Sequence, residues 1–293
     1  MNIDQWPNLA TMFFEQVAAY REQPFLWKKR DGVYESLTWS DANARAIALA
    51  RGLISLGVEK GDRIVLVSEN RPAWPIADIA IMSTGQARHD NITKMAEQLE
   101  REDTACIIYT SGTGGTPKGV MLHHGAILHN CAGAVDALKD LKLEREVFLS
   151  FLPLSHSYEH TAGQFFPIAI GGEIYYAEGV ESLSANMLEV HPTIMTAVPR
   201  LYEVLHQKIT TGVVKAGGLK KAMFDKTLAL GRKRYENGRL GLLDNLIDMV
   251  LDKLVREKVR DRFGGRLKAL VSGGAPLNPE IGLFFTSLGL RIL

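Results

Sequence analysis

Short apolar runs at 147–152, 173–177, 193–198 and 267–272 constrain this fold more than any other feature of the chain. Each is apolar through most of its length, and stretches with helical spacing separate one from the next. A strand with one solvated face alternates polar and apolar residues, whereas a run without alternation is buried on both faces. Such strands, interleaved with helices, imply an α/β fold of mostly parallel sheets covered by helices. Ligands in sheets of that kind gather at loops leaving the carboxyl ends of the strands. Three loops of that description carry chemistry-bearing residues: the stretch after a run at 104–108, the stretch 153–160, and the stretch 273–276. The expectation is that all three share one sheet edge.

The N-terminal third reads as mixed elements. Residues 8–20 are amphipathic and helical. Residues 25–27 and 33–38 form a hairpin around Asp31-Gly32. Ser40-Asp41 then cap a helix running to about Leu56, with Gly57 at its end. Residues 63–67 read as a short apolar strand, and 75–82 as a buried helix.

Residues 109–120 read Tyr109-Thr110-Ser111-Gly112-Thr113-Gly114-Gly115-Thr116-Pro117-Lys118-Gly119-Val120. Glycines let backbone N–H groups approach a ligand closely and adopt unusual dihedrals. The hydroxyls add donors and Lys118 adds a point charge, which together suit a polyphosphate. The loop is neither of two familiar phosphate binders. A Walker A loop ends Gly-Lys-Ser/Thr, but here Pro117 precedes Lys118 and Gly119 follows it. A dinucleotide fingerprint accepts Gly112 and Gly114, but Pro117 stands where its third glycine belongs. On composition alone, a surface loop without a ligand is an equal reading.

The full string resembles the phosphate loop of the adenylate-forming superfamily, whose pattern is Tyr-Thr-Ser-Gly-Thr-Thr-Gly-x-Pro-Lys-Gly-Val. Gly114 replaces the usual Thr, which removes a hydroxyl and keeps the backbone donor. Two further segments follow in the superfamily's order: Phe151-Leu152-Pro153-Leu154-Ser155-His156 and Ser272-Gly273-Gly274-Ala275-Pro276-Leu277. By resemblance, Thr110, Ser111, Gly112, Thr113, Gly114, Gly115, Thr116 and Lys118 hold the ATP phosphates, and Thr113 also contacts Mg²⁺. Gly273, Gly274, Ala275 and Pro276 lie on adenine, and His156 borders the acyl pocket. Alone, the Gly-Gly-Ala-Pro stretch reads as an ordinary strand-to-helix turn, and a lone histidine as structural. Glu159, His160, His123 and His124 have no comparable support, and His123 and His124 read equally as cap or surface residues. The stretches at 68–74, 198–203 and 262–266 resemble the long-chain fatty-acyl-CoA synthetase branch. The fold implied is part of the large N-terminal domain of those enzymes.

Composition agrees with a globular protein and excludes some classes. The chain has 293 residues, 46% hydrophobic and 23% charged, with a net charge of +1, which argues against a nucleic-acid partner. Cys106 and Cys131 are the two cysteines, too few for a disulfide framework or zinc cluster, and they suit a reducing compartment. No apolar run approaches the ~20 residues of a membrane span, and no signal segment opens the chain, so a cytoplasmic location is expected. Charge is uneven: residues 205–268 carry sixteen Lys/Arg against seven Asp/Glu. A solvated helix face and attraction to an anionic lipid surface or a phosphorylated cofactor are both open readings.

Two departures separate this chain from the superfamily pattern. Gly85 is followed at once by Gln86, where relatives insert a long stretch, so uncovered apolar surface and unpaired edges are expected. Leu293 precedes the Gln-Gly-Tyr-Gly-x-Thr-Glu segment, with its Mg²⁺-holding glutamate, and the small C-terminal domain with the adenylation lysine. Residues 1–85 and 86–293 are therefore expected to be two parts of one large domain, the small domain being absent, and no catalytic residue is assigned. The resemblance implies ATP-dependent activation of a long-chain fatty acid to acyl-AMP and then acyl-CoA, with ATP, Mg²⁺ and CoA taking part. A non-catalytic nucleotide- or acyl-binding fragment, and a ligase passing acyl-AMP to a carrier protein, are the alternatives. Membrane-peripheral association is the second reading of location.

Overall fold

Asp31 and Gly32 both take positive φ, 48° and 81°, and so close the hairpin that begins the first sheet. The computed structural model describes residues 2–84, 91–111 and 115–293. It divides into two compact units, 1–178 and 179–293.

The first unit holds strands β1 (Pro24–Arg30), β2 (Val33–Thr38), β3 (Thr104–Thr110), β4 (Lys118–His123), β5 (Val147–Ser150) and β6 (Glu173–Tyr176). Its helices are α1 (Leu9–Tyr20), α2 (Trp39–Ser55), α3 (Ala73–Ser83), α4 (Ile92–Ala96), α5 (His124–Ala137), α6 (Ser157–Glu159) and α7 (Phe166–Ala169). β1 pairs antiparallel with β2 and parallel with β6, and β6 pairs parallel with β5. All four residues of β5 are buried, as its lack of alternation requires. Against this sheet Trp39 is fully buried and stacks on Phe25 at 3.7 Å between centroids, with Phe13 and Tyr20 at 6.2 and 5.6 Å.

The second unit holds β7 (Ile194–Ala197) and β8 (Ala269–Ser272), which pair parallel. Its helices are α8 (Leu183–Val190), α9 (Pro199–Ala216), α10 (Gly218–Asn237), α11 (Leu242–Leu251), α12 (Glu257–Arg262) and α13 (Pro279–Ser287). A π turn, Asp252–Arg256, joins α11 to α12. The fold is the expected α/β arrangement, with mostly parallel strands flanked by helices.

Four expectations need correction. The cap of α2 is Thr38, not Ser40: its Oγ1 accepts from Asp41 N at 3.0 Å while Asp41 accepts from Thr38 N at 3.0 Å, a reciprocal capping box. These bonds hold the Asp41 carboxyl below its usual range. Residues 63–67 form no strand, because no neighbouring strand among the described residues offers a ladder; Val65 and Val67 are 84% and 87% exposed. The run at 104–108 is a strand, but within β3 only Ile108 is buried. Finally, β3 pairs antiparallel with β4 in a separate two-stranded sheet, so its loop does not leave a parallel sheet edge.

Candidate functional site

The loop read as a phosphate binder is the tip of the β3–β4 hairpin. Thr110 pairs with Lys118 across the ladder, and Tyr109 with Gly119. A Cβ at Gly119 would lie 3.3 Å from the Tyr109 ring, so glycine lets the ring cover the opposite strand. Gly115 has φ 79° with open space around it. Thr110, Ser111, Thr116 and Lys118 are exposed, and their side chains make no hydrogen bond among the described residues. Free hydroxyls and a free ammonium on one turn are the chemistry a polyphosphate calls for. Gly112, Thr113 and Gly114 lie outside the described residues, and with them the Mg²⁺ contact expected of Thr113. Among the described residues no cluster of His, Cys, Asp or Glu is built to hold a metal.

The segment 151–156 follows β5, and an unanticipated residue fixes it. Asn70 Nδ2 donates to Leu152 O at 2.6 Å, and Asn70 Oδ1 accepts from Leu154 N at 3.0 Å. One side chain thus clamps both ends of the turn and ties the 68–74 stretch to it. His156 is exposed, and its Nδ1 accepts from Tyr158 N at 3.2 Å, capping α6.

Next to that turn lies a polar cluster whose members Glu159 and His160 sequence reading left without a role. Buried Glu159 accepts from Ser150 Oγ at 2.7 Å. A Cβ at Gly163 would sit 2.3 Å from Glu159, so only glycine leaves room for this carboxylate. His160 Nε2 lies 2.8 Å from Asp78 Oδ2, which also accepts from Gln164 Nε2 at 2.7 Å. Cys106 Sγ lies 4.0 Å from His160 Nδ1. Burial pulls the His160 imidazolium down, but the Asp78 carboxylate, with Cys106, overrides it and raises the ring to about 10. His123 and His124 have structural work. His123 Nδ1 accepts from Ala126 N at 3.0 Å and caps α5. His124 is buried, accepts from Leu9 N at 3.3 Å, and is held neutral by burial, at about 4.

In the second unit, 273–276 is the turn from β8 into α13. Gly273 N donates to Ala197 O at 3.1 Å, and Gly274 takes φ 80°. Asn278 caps α13 by accepting from Glu280 N at 2.9 Å, with Pro279 at its first turn. Gly274, Ala275 and Pro276 are exposed. Tyr202, from the 198–203 stretch, is buried edge-on to Phe285; burial raises its hydroxyl and the neighbouring Ser272 hydroxyl eases it. Gly264, from the 262–266 stretch, has φ 89°, and a Cβ there would meet Met187 O at 2.6 Å. Of the branch-like stretches, 68–74 braces the 151–156 turn through Asn70, 198–203 packs on α13 through Tyr202, and 262–266 packs closely on the end of α8.

The model of AMP-binding enzymes matches residues 13–89 and 84–292. The chain belongs to the AMP-binding enzyme family. This family member is 35% identical over 181 residues to the peroxisomal long chain acyl-CoA synthetase 6 of Arabidopsis thaliana, covering 61% of this chain and 24% of the relative. It is 28% identical to the long-chain-fatty-acid–CoA ligase FadD15 of Mycobacterium tuberculosis, covering 99% of this chain and 60% of that one. The chain thus spans between a quarter and three fifths of the length of these relatives. In structure it is similar to the o-succinylbenzoate CoA synthetase of Bacillus subtilis, with a TM-score of 0.65 at 15% identity, over 98% of this chain and 57% of that one. That likeness shows the fold. A form of the same enzyme in complex with ATP and magnesium has a TM-score of 0.55 over 68% of this chain and 66% of that one.

Proposed function

We propose that this chain carries the phosphate-binding and adenine-binding parts of an AMP-forming long-chain fatty acid–CoA ligase. The observation that carries the reading is the end of the β3–β4 hairpin, where Thr110, Ser111, Thr116 and Lys118 are exposed beside Gly115 within a family-matched sequence. Residues 1–85 and 86–293 are then parts of one large domain. The protein is taken to work in the cytoplasm, with a peripheral attachment to anionic lipid that the basic excess over 205–268 supports.

The reaction asks for charge neutralisation. A fatty-acid carboxylate attacks the α-phosphorus of ATP, pyrophosphate leaves, and acyl-AMP forms; CoA thiolate then displaces AMP to give the thioester. The N–H groups and hydroxyls of 110–116 hold the β- and γ-phosphates, and Lys118 offsets charge that grows on the departing pyrophosphate. Magnesium, when bound with the nucleotide, supplies further charge neutralisation at the phosphates. Gly273, Gly274 and Ala275 offer adenine a flat backbone surface. His156, exposed at the N-cap of α6, borders the acyl site.

Fatty-acid-dependent exchange of labelled pyrophosphate into ATP tests this on the full-length protein. Palmitate should support exchange far better than acetate, and Lys118→Ala should slow it by about tenfold or more. Unchanged exchange and ATP affinity in the variant would remove Lys118 from the reaction. Nucleotide binding without any exchange would favour the binding-fragment reading.

A further inference from the structure

An ordinary surface helix turns its apolar side to the core and its charges to water. α11 and the π turn after it do the reverse. Their aspartates are engaged by the protein's own cations. Asp244 accepts from Lys233 at 2.7 Å; Asp248 lies between Arg234 and Arg256, each at 2.7 Å; Asp252 accepts from Arg260 at 3.1 and 3.0 Å. Leu251 packs inward with Leu230 and Leu240. The outward side is apolar: Leu242, Leu246, Met249 and Val250 are 89%, 64%, 68% and 57% exposed. Their spacing of three and four residues places them on one stripe. Arg239 and Lys253 stand at its two ends, exposed and without an ion pair among the described residues. Arg239 lines the same surface groove as Leu242.

We infer that this stripe is a docking surface for an anionic bilayer, an inference that rests on the peripheral attachment proposed above and assigns it a place. Leu242, Leu246, Met249 and Val250 enter the boundary between headgroups and acyl chains. Arg239 and Lys253 extend to the phosphates, as long cationic side chains at the rim of an apolar face do. Charge decides for a lipid surface over a second copy of this chain. The stripe lies in a region with an excess of nine positive charges, and a second copy would bring the same field against itself. Anionic headgroups complement it.

Co-sedimentation of the full-length protein with vesicles tests the assignment, using equal phosphatidylglycerol and phosphatidylcholine, or phosphatidylcholine alone, at low salt. Binding to the anionic vesicles is expected. Leu246→Ser/Met249→Ser should lower the partition by about tenfold or more, with unchanged circular dichroism and melting, because both residues are exposed. Val180→Ser, also exposed but off the stripe, should bind as the unmodified protein does. If the serine pair binds normally while Arg239→Glu/Lys253→Glu does not, charge alone attaches the protein; the stripe is then overturned and the lipid reading survives. If the unmodified protein binds neither vesicle, both fall. Self-association in sedimentation velocity that the serine pair abolishes, without lipid binding, would make the stripe a self-interface and overturn the proposal.

Discussion

Arg256 is nearly fully buried, yet every donor direction it uses finds an acceptor. Its Nε donates to Ser287 O at 2.7 Å, and its Nη2 to Asp248 at 2.7 Å. Removing Arg256 leaves buried Asp248 with Arg234, half exposed, as its one cation among the described residues, and leaves Ser287 O without its donor. Arg256→Ala should lower unfolding free energy by about 3–5 kcal/mol, read from urea midpoints at constant slope. Arg256→Lys should recover part of that, since charge returns without the planar fork. The two buried histidines act on opposite sides of neutral pH. His160 is raised in the folded state, so its contribution is complete below the unfolded value near 6.5 and is lost as pH climbs through about 10. His124 is lowered, so the unfolded chain takes up a proton that the folded one refuses. Stability then falls as pH drops from about 6.5 toward about 4, by on the order of 3 kcal/mol. Urea midpoints against pH should therefore decline on both flanks. His124→Gln should flatten the acid flank and Asp78→Asn the alkaline one; unaltered flanks would show that these rings do not set the profile.

At the scale of elements, the start of α2 separates a pattern from its geometry. Thr38-x-x-Asp41 and Ser40-Asp41 both look like N-terminal signals, but only the first has the three-residue spacing that closes the reciprocal bonds. Thr38→Ala should cost about 1 kcal/mol and Ser40→Ala less, by thermal or urea unfolding; the opposite order would restore the earlier boundary. The parallel strands β5 to β8 were legible because burial on both faces writes itself into a continuous apolar run. β4 was not, because its first residues, Lys118 and Gly119, read as the end of a loop and have no apolar character of their own. The phosphate hairpin's residues could be named from sequence, but its place on a two-stranded sheet could not, since pairing is set by a partner distant in sequence. Asn70 was hidden for a related reason. An asparagine in a polar stretch gives no local sign that its amide will clamp Leu152 and Leu154. Residues 63–67 mark the converse error: a strand pattern needs a neighbour to become a strand.

For the molecule as a whole, that missing neighbour has a consequence in solution. The family model matches in two stretches that meet at 84–89, and the alignment with the FadD15 relative runs over 364 residues, more than this chain contains. The relative carries inserted sequence, while in this chain the apolar run at 63–67 leaves Val65 and Val67 exposed. An apolar run of strand-like pattern without a ladder partner can pair with another chain through its backbone N–H and C=O groups. A net charge of +1 gives little repulsion to prevent that encounter. This 293-residue chain should therefore aggregate by edge-to-edge pairing on warming, below its own melting temperature. Val65→Lys/Val67→Lys should slow aggregation several-fold in light scattering, because charges on an edge oppose pairing, and should leave the melting temperature within about a degree since neither side chain is packed. Equal aggregation of the two proteins would mean that other exposed apolar surface, the α11 stripe first, drives association, and Leu246→Ser/Met249→Ser would then be the variant that stays dispersed.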